Sequence, residues 1–204
     1  TALYMELEKV EDIIRHNQDS IVIIDEAYID FGGKSAIEFV DKYDNVLVVQ
    51  TFSKSRSMAG IRIGYAFGSP ALIRALNDVK FSFNSYTMNA YSLVCGSAAM
   101  ADEEYFNECV AKIIKTRENA KSELTRLGFE FPDSKANFIF AAHRSVPAAY
   151  LFEELKKRGI YVRYFNKPRI DNYLRISVGT DDQMKKLFYA LEEIIDGCNS
   201  GLKA

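Results

Sequence analysis

Two consecutive acids, Asp25 and Glu26, directly follow an apolar run at 21–24. Such a run is typical of a buried strand, and open α/β sheets bind ligands beyond the carboxyl ends of their strands. The pair fits three interpretations: a solvated strand end, the magnesium-binding acid of a P-loop ATPase, or an acid that pairs with a protonated ring nitrogen of a cofactor. Other motifs must decide among them.

The ATPase interpretation requires a glycine-rich loop of the form GxxxxGK[ST]. Gly33, Lys34 and Ser35 match the end of that motif, but Tyr28 stands where its first glycine should be. The DFG triplet at 30–32 resembles the magnesium triplet of protein kinases, yet no HRDxxxxN segment precedes it. Both nucleotide-binding motifs are therefore incomplete.

Hydroxyl and basic side chains are concentrated at 51–64, TFSKSRSMAGIRIG, after a second apolar run. Thr51 and Ser53 provide hydroxyl groups, and Arg62 provides a guanidinium that can bind a phosphate through two hydrogen bonds. The amine of Lys54 can condense with an aldehyde to form a Schiff base. The alternative interpretation is an ordinary polar loop with a solvated lysine.

Together, the two segments contain the groups that a pyridoxal phosphate site needs: a lysine, an acid for the ring nitrogen, and phosphate donors. The motifs IDEAY at 24–28, TFSK at 51–54 and AGIRIGY at 59–65 resemble the fold-type I pyridoxal-phosphate-dependent aminotransferases, most closely the histidinol-phosphate aminotransferase family. The resemblance covers essentially the whole chain and implies an enzyme whose N-terminal half is absent. We expect this chain alone to bind the cofactor weakly and to be poorly active or inactive, because that half supplies ring stacking and phosphate contacts.

The resemblance implies a role for each residue of the cofactor site. Lys54 would form the Schiff base and move the proton between substrate and cofactor. Asp25 would keep the pyridine nitrogen protonated, and Tyr28 would hydrogen-bond the phenolic oxygen of the ring. The cofactor phosphate would be bound by Ser53, Arg62 and, as a weaker candidate, Thr51.

Residues near the C-terminus resemble the substrate-binding part of the same family. Arg175, in YLRISVG at 173–179, resembles the arginine that binds the substrate α-carboxylate, and a charge within an apolar strand is costly without a partner. Arg163, in GIYVR at 159–163, resembles the arginine that recognises the substrate phosphate, with a surface ion pair as the alternative. Asn137 matches an asparagine near the substrate, with a turn-forming role as the alternative.

The elements that must position these residues alternate along the first half of the chain. Apolar spacing predicts helices and strands in the order helix 4–16, strand 20–25, short helix 35–43, strand 45–50 and strand 61–67. This alternation predicts an α/β fold whose mainly parallel sheet is flanked by helices, the later part of an aminotransferase-type large domain.

The pattern then changes to helices at 69–80, 87–101 and 103–127. Short strands at 137–141, 160–164 and 173–178, with helices at 146–158 and 181–195, predict a small α+β C-terminal domain. We place the boundary within the long helix, which gives a pyridoxal-phosphate-binding large-domain part at 1–110 and a small domain at 111–204.

Composition excludes several function classes. The 204 residues include 26 basic and 28 acidic side chains, a balance that offers no cationic surface for nucleic acid. No apolar stretch approaches the ~20 residues of a membrane helix. Three widely spaced cysteines indicate neither a disulfide framework nor a zinc site, so we expect no metal and a reducing cytoplasm.

The resemblance implies transamination between histidinol phosphate and 2-oxoglutarate in histidine biosynthesis, by a homodimer acting on small amino and keto acids. The nearest alternatives are an aminotransferase for aromatic amino acids and a threonine-phosphate decarboxylase. The alternatives of another class are a P-loop nucleotide hydrolase fragment and a non-catalytic interaction module.

Overall fold

A computed structural model describes residues 2–201, and these residues form two compact units. The first unit is Tyr4–Val110, and the second runs from Ala111 onward and includes Ala2 and Leu3. The border falls within a long helix, α4 (Glu103–Arg126).

The first unit carries a three-stranded sheet with helices before and after it. Its other helices and its strands are α1 (Leu7–Arg15), β1 (Val22–Asp25), β2 (Val46–Thr51), β3 (Gly64–Gly68), α2 (Pro70–Phe83) and α3 (Ala90–Ala101). One-turn 3-10 helices lie at Ile29–Phe31, Ala36–Phe39 and Ala59–Ile61. The side chains of its core are Val10, Ile14, Ala36, Phe39, Val46 and Val48.

The strand β3 runs antiparallel to its neighbour, whereas the sequence predicts a mainly parallel sheet. β1 and β2 are parallel, with Asp25 opposite Val49, whereas β2 and β3 are antiparallel, with Thr51 opposite Gly64. The link at 52–63 contains one 3-10 turn, whereas a parallel return usually needs a crossover helix. The α/β fold class is confirmed, and β3 is its antiparallel member.

Several elements differ locally from the sequence predictions. The strand predicted at 160–164, for example, is only Arg163–Tyr164. The helix predicted at 35–43 is only the 3-10 turn Ala36–Phe39. The strand predicted from residue 61 begins at Gly64, because Arg62 has a φ of 58° that no strand accommodates. The two-residue strand β4 (Phe129–Glu130) was not predicted, since so short a strand has no sequence period of its own.

The second unit packs three helices, one of them the part of α4 from Ala111 onward, on an antiparallel sheet of order β4-β5-β7-β6. Its remaining elements are β5 (Phe138–His143), α5 (Ala148–Lys157), β6 (Arg163–Tyr164), β7 (Leu174–Ser177) and α6 (Asp181–Gly201). One face of the central strands joins the helices in a core that includes Ile139, Ala141, Leu151, Leu155, Leu174, Ile176, Leu187 and Leu191.

The side chain of His143 is buried and hydrogen-bonded at both ring nitrogens. Its Nε2 donates to the Leu127 carbonyl at 3.0 Å, and its Nδ1 accepts the N–H groups of Ser145 at 3.2 Å and Val146 at 2.9 Å. Burial lowers the pKa of His143, which favours this neutral form. His143 therefore ties the end of α4 to the end of β5.

Two further findings concern the described range. No helix within residues 2–201 is long and apolar enough to span a membrane. The histidine, cysteine, aspartate and glutamate side chains of the same range form no cluster that could hold a metal ion.

Candidate active site

The sheet of the first unit brings three predicted site residues to one edge. β1 ends at Asp25 and the parallel β2 ends at Thr51, three residues before Lys54. β3 begins at Gly64, opposite Thr51, because it runs in the other direction. Arg62, two residues before β3, therefore lies at the edge where β1 and β2 end. A parallel β3 would have placed Arg62 at the opposite edge.

Lys54 and Tyr28 meet beyond this edge. The Nζ atom of Lys54 lies 5.4 Å from the centroid of the Tyr28 ring, a cation–π contact. Both side chains are half-buried. The structure thus brings together the lysine predicted to bind the cofactor aldehyde and the tyrosine predicted to hydrogen-bond the phenolic oxygen of the cofactor ring.

The two acids after β1 have different environments. Asp25 is exposed, and its Oδ1 accepts the N–H of Ala27 at 3.0 Å, which orients the carboxylate at the strand end. Glu26 is buried and accepts from Ser35 Oγ at 2.7 Å, Ala36 N at 2.6 Å and Gln50 Nε2 at 2.8 Å. Asp25 is accessible to a ligand, whereas Glu26 holds the following loop in place.

The hydroxyl of Thr51 forms hydrogen bonds with neighbouring groups of the protein. It donates to the Ile63 carbonyl at 3.2 Å, accepts the Ser53 N–H at 3.1 Å, and lies 2.9 Å from the Ser53 hydroxyl. These bonds tie the end of β2 to the segment before β3. Thr51 thus supports the loop that presents Ser53, and its contact with a phosphate stays a prediction.

The loop between Lys54 and Arg62 contains backbone strain. Among the described non-glycine residues, four have positive φ, and two of these are Ser57 at 54° and Arg62 at 58°. A non-glycine residue in this region costs roughly 1–3 kcal/mol, and such residues concentrate at functional sites. The conformation leaves Arg62 exposed, with its Nη1 donating to the Ala59 carbonyl at 3.0 Å.

Arg56 is a supporting residue to which the sequence assigned no role. Its Nη1 donates to the Ala99 carbonyl at 2.5 Å, and its guanidinium carbon lies 4.1 Å from the centroid of the Phe106 ring. The same guanidinium lies 5.4 Å from the ring of Phe52. Arg56 fastens the loop that carries Lys54 to α3 and α4, and its distant partners left no local signal in the sequence.

In the second unit, the two predicted substrate arginines are neighbours. Arg163 on β6 and Arg175 on β7 are directly opposite each other in the antiparallel register. Like charges in this arrangement destabilise a sheet unless an anion lies between them. The Nε atom of Arg175 is buried and, within the described residues, has no hydrogen-bond partner, while its guanidinium carbon lies 4.2 Å from the Phe138 ring. These features fit an anionic ligand.

Asn137 immediately precedes β5, which is paired with the strand that carries Arg175. Its carbonyl accepts the N–H of Val178 at 2.9 Å. The preceding carbonyl, of Ala136, accepts from Nη1 of the fully buried Arg117 at 3.1 Å. The backbone of Asn137 is thus fixed from both sides, and its side-chain role stays a prediction.

The chain matches the family described as aminotransferase class I and II over residues 1–191, and it belongs to that family. Among its curated relatives, the histidinol-phosphate aminotransferase of Clostridium acetobutylicum is 53% identical over 195 residues, which is 96% of this chain and 55% of that protein. The histidinol-phosphate aminotransferase of Lactococcus lactis subsp. cremoris is 51% identical with the same coverage. The chain spans about half the length of the curated relatives it matches.

Solved structures show the same fold. Histidinol-phosphate aminotransferase from Sinorhizobium meliloti, solved in complex with pyridoxal-5'-phosphate, has a TM-score of 0.85 at 26% identity, over 97% of this chain and 55% of that one. L-threonine-O-3-phosphate decarboxylase from Porphyromonas gingivalis has a TM-score of 0.78 at 19% identity, over 94% of this chain and 60% of that one. The family membership excludes the P-loop nucleotide hydrolase.

Two substitutions at Arg62 separate backbone strain from ligand binding. Arg62→Gly and Arg62→Ala both remove the guanidinium, so we expect each to weaken pyridoxal phosphate binding about tenfold. Only glycine relieves the positive φ, so we expect Arg62→Gly to be more stable than Arg62→Ala by about 1 kcal/mol. Absorbance titration and urea denaturation measure the two effects. Equal stabilities would contradict the strain, and unchanged affinity would remove Arg62 from the phosphate site.

Arg175 and Arg117 form a matched pair for testing whether an arginine serves a ligand or the fold. We expect Arg175→Leu to keep or raise the free energy of unfolding, by up to about 1 kcal/mol, because it removes an unpaired buried N–H and the repulsion with Arg163. We expect Arg117→Leu to lower it by about 2 kcal/mol, because bonds to Glu118 and Ala136 are lost. Thermal and urea denaturation compare the variants. Equal destabilisation by both would assign Arg175 to the fold.

Proposed function

We propose that the protein carrying this chain catalyses pyridoxal-phosphate-dependent transamination between histidinol phosphate and 2-oxoglutarate, a step of histidine biosynthesis. The observation that carries this proposal is the convergence of Asp25, Lys54 and Arg62 at one sheet edge, with Lys54 against Tyr28. The high identity to relatives named for this reaction supports the choice of substrate.

The residues at the sheet edge fit pyridoxal phosphate by their chemistry. When bound, that cofactor supplies an aldehyde and a ring that accepts electrons. The amine of Lys54 would hold the cofactor at its aldehyde carbon, with loss of water. Once the incoming amino substrate has displaced this amine, Lys54 would move a proton from the substrate Cα to the cofactor. The exposed carboxylate of Asp25 accepts a hydrogen bond from the pyridine N–H and favours its protonation.

The other predicted site residues of the first unit bind the cofactor and orient its ring. The hydroxyl of Tyr28 donates to the phenolic oxygen of the ring. The guanidinium of Arg62 and the hydroxyl of Ser53 bind the phosphate, and Thr51 holds Ser53 in place. Each contact restricts the ring to one orientation relative to Lys54.

The arginine pair of the second unit suits two anionic substrates that react in turn. In this proposal, Arg175 binds the α-carboxylate of glutamate or 2-oxoglutarate, Arg163 binds the phosphate of histidinol phosphate, and Asn137 is a further substrate-binding residue. The unpartnered Nε of Arg175 and the direct opposition of the two residues support an anion at this place. A carboxylate or phosphate would neutralise their repulsion.

We further propose that the whole protein is a cytoplasmic homodimer. The large exposed apolar side chains of the first unit support an interface: Phe83, Tyr86, Tyr91 and Val94 are all more than two-thirds exposed. The three cysteines are free, which suits a reducing compartment.

The experiment that tests the function is chemical trapping. The whole folded protein that carries this chain is incubated with pyridoxal phosphate, reduced with borohydride, and digested for peptide mass mapping. We expect the label predominantly on Lys54, because the phosphate and ring contacts concentrate the aldehyde there. The exposed Lys34, in the same unit, serves as an internal control for unselective labelling.

A Lys54→Ala variant completes the test, and we expect it to lose the selective label and keep only the surface background. Equal labelling of Lys34 and Lys54 in a protein that circular dichroism shows to be folded would contradict the proposal. That outcome would favour the non-catalytic interaction module.

A further inference from the structure

Tyr28 and Lys54 are carried by two loops that follow neighbouring strands. The tyrosine loop is residues 26–36, after β1, and the lysine loop is residues 52–58, after β2. Neither side chain lies within a strand, so the sheet alone does not fix the distance between them. Contacts between or around the loops must do so.

A side-chain hydrogen bond joins the two loops. Ser55 Oγ donates to Asp30 Oδ2 at 2.5 Å, across 25 positions of sequence. Ser55 is 4% exposed, and Asp30 is half-buried. A hydroxyl–carboxylate bond is charge-assisted and about twice as strong as a neutral one, and shielding from water preserves its strength.

Each residue of this bond is connected through the backbone to one of the two side chains that it positions, Lys54 and Tyr28. Ser55 is adjacent to Lys54, and the Ser57 N–H donates to the Lys54 carbonyl at 3.1 Å, which closes a turn around it. Asp30 lies in the 3-10 turn Ile29–Phe31, whose Phe31 N–H donates to the Tyr28 carbonyl at 3.2 Å. A displacement of Asp30 relative to Ser55 therefore changes the position of Tyr28 relative to Lys54.

Other contacts fix each loop separately. Glu26 holds the base of the tyrosine loop through Ser35 and Ala36, and Arg56 fastens the far side of the lysine loop to Ala99. These contacts limit the motion of each loop, but none of them joins one loop to the other. The Asp30–Ser55 bond does so, between residues two positions from Tyr28 and one position from Lys54.

We propose that Asp30 and Ser55 are a positioning pair that holds Lys54 where its amine reaches the aldehyde of pyridoxal phosphate. The proposal rests on the proposed function, and it assigns a role to two residues that do not themselves contact the reacting atoms. Without the bond, Lys54 keeps its amine but samples more orientations, so condensation with the aldehyde slows.

The rate of selective Lys54 labelling, followed by quenching with borohydride at timed intervals, tests the pair in the folded protein. We expect Ser55→Ala and Asp30→Ala each to slow labelling about tenfold, and the double variant to be no slower than either single one. Asp30→Asn keeps an oxygen that accepts from Ser55, so we expect its rate within about threefold of the unchanged protein. This rescue distinguishes the hydrogen bond from the charge.

Ser69→Ala is the matched control. Ser69 is a buried serine of the same unit, 6% exposed, whose Oγ donates to the Asp44 carbonyl at 3.1 Å. Its removal deletes a neutral hydrogen bond away from both loops, so we expect a smaller loss of thermal stability than for Ser55→Ala and an unchanged labelling rate. If Ser55→Ala fails to fold, Ser55→Cys preserves the volume, weakens the donor, and carries the same expectation of slower labelling.

Two outcomes would overturn the proposal, and they are distinguishable. If Lys54 is labelled selectively in the unchanged protein and equally fast in the folded Ser55 and Asp30 variants, the pair is structural only. If labelling is spread over surface lysines in every variant, the proposed function itself fails and the positioning role fails with it.

Discussion

The opposite directions of β2 and β3 are the constraint on which the candidate site depends. Parallel β1 and β2 deliver Asp25 and Lys54 to one sheet edge, and an antiparallel β3 returns Arg62 to that same edge. The link at 52–63 holds two non-glycine residues, Ser57 and Arg62, at positive φ. Backbone strain at Ser57 and Arg62 therefore accompanies the arrangement that brings an acid, an amine and a guanidinium to one sheet edge.

Burial then separates the groups that support the site from those that face a ligand. Glu26 is buried and saturated with hydrogen bonds, while its neighbour Asp25 is exposed at the strand end. The guanidinium of Arg56 donates a hydrogen bond to the Ala99 carbonyl, whereas Arg175 has a buried Nε with no hydrogen-bond partner among the described residues. Similar side chains have different roles because their surroundings either satisfy their polar atoms or leave them for another molecule.

The cofactor could be predicted from sequence because Asp25, Lys54 and Arg62 lie in short motifs next to apolar strands. The direction of β3 could not, since an apolar run has the same appearance in parallel and antiparallel strands. The bond between Asp30 and Ser55 also left no local signal, because its partners are 25 positions apart. Burial of polar groups such as those of Glu26 is likewise decided by tertiary packing rather than by local sequence.

Amide hydrogen exchange with and without pyridoxal phosphate, followed by mass spectrometry, tests the central claim that one sheet edge forms the cofactor site. We expect the cofactor to slow exchange about tenfold in two segments, 26–30 and 52–63, because bound phosphate and ring contacts suppress local opening. The Ala148–Lys157 helix of the second unit should exchange equally in both conditions. Protection absent from either segment, or spread evenly over the chain, would contradict the account.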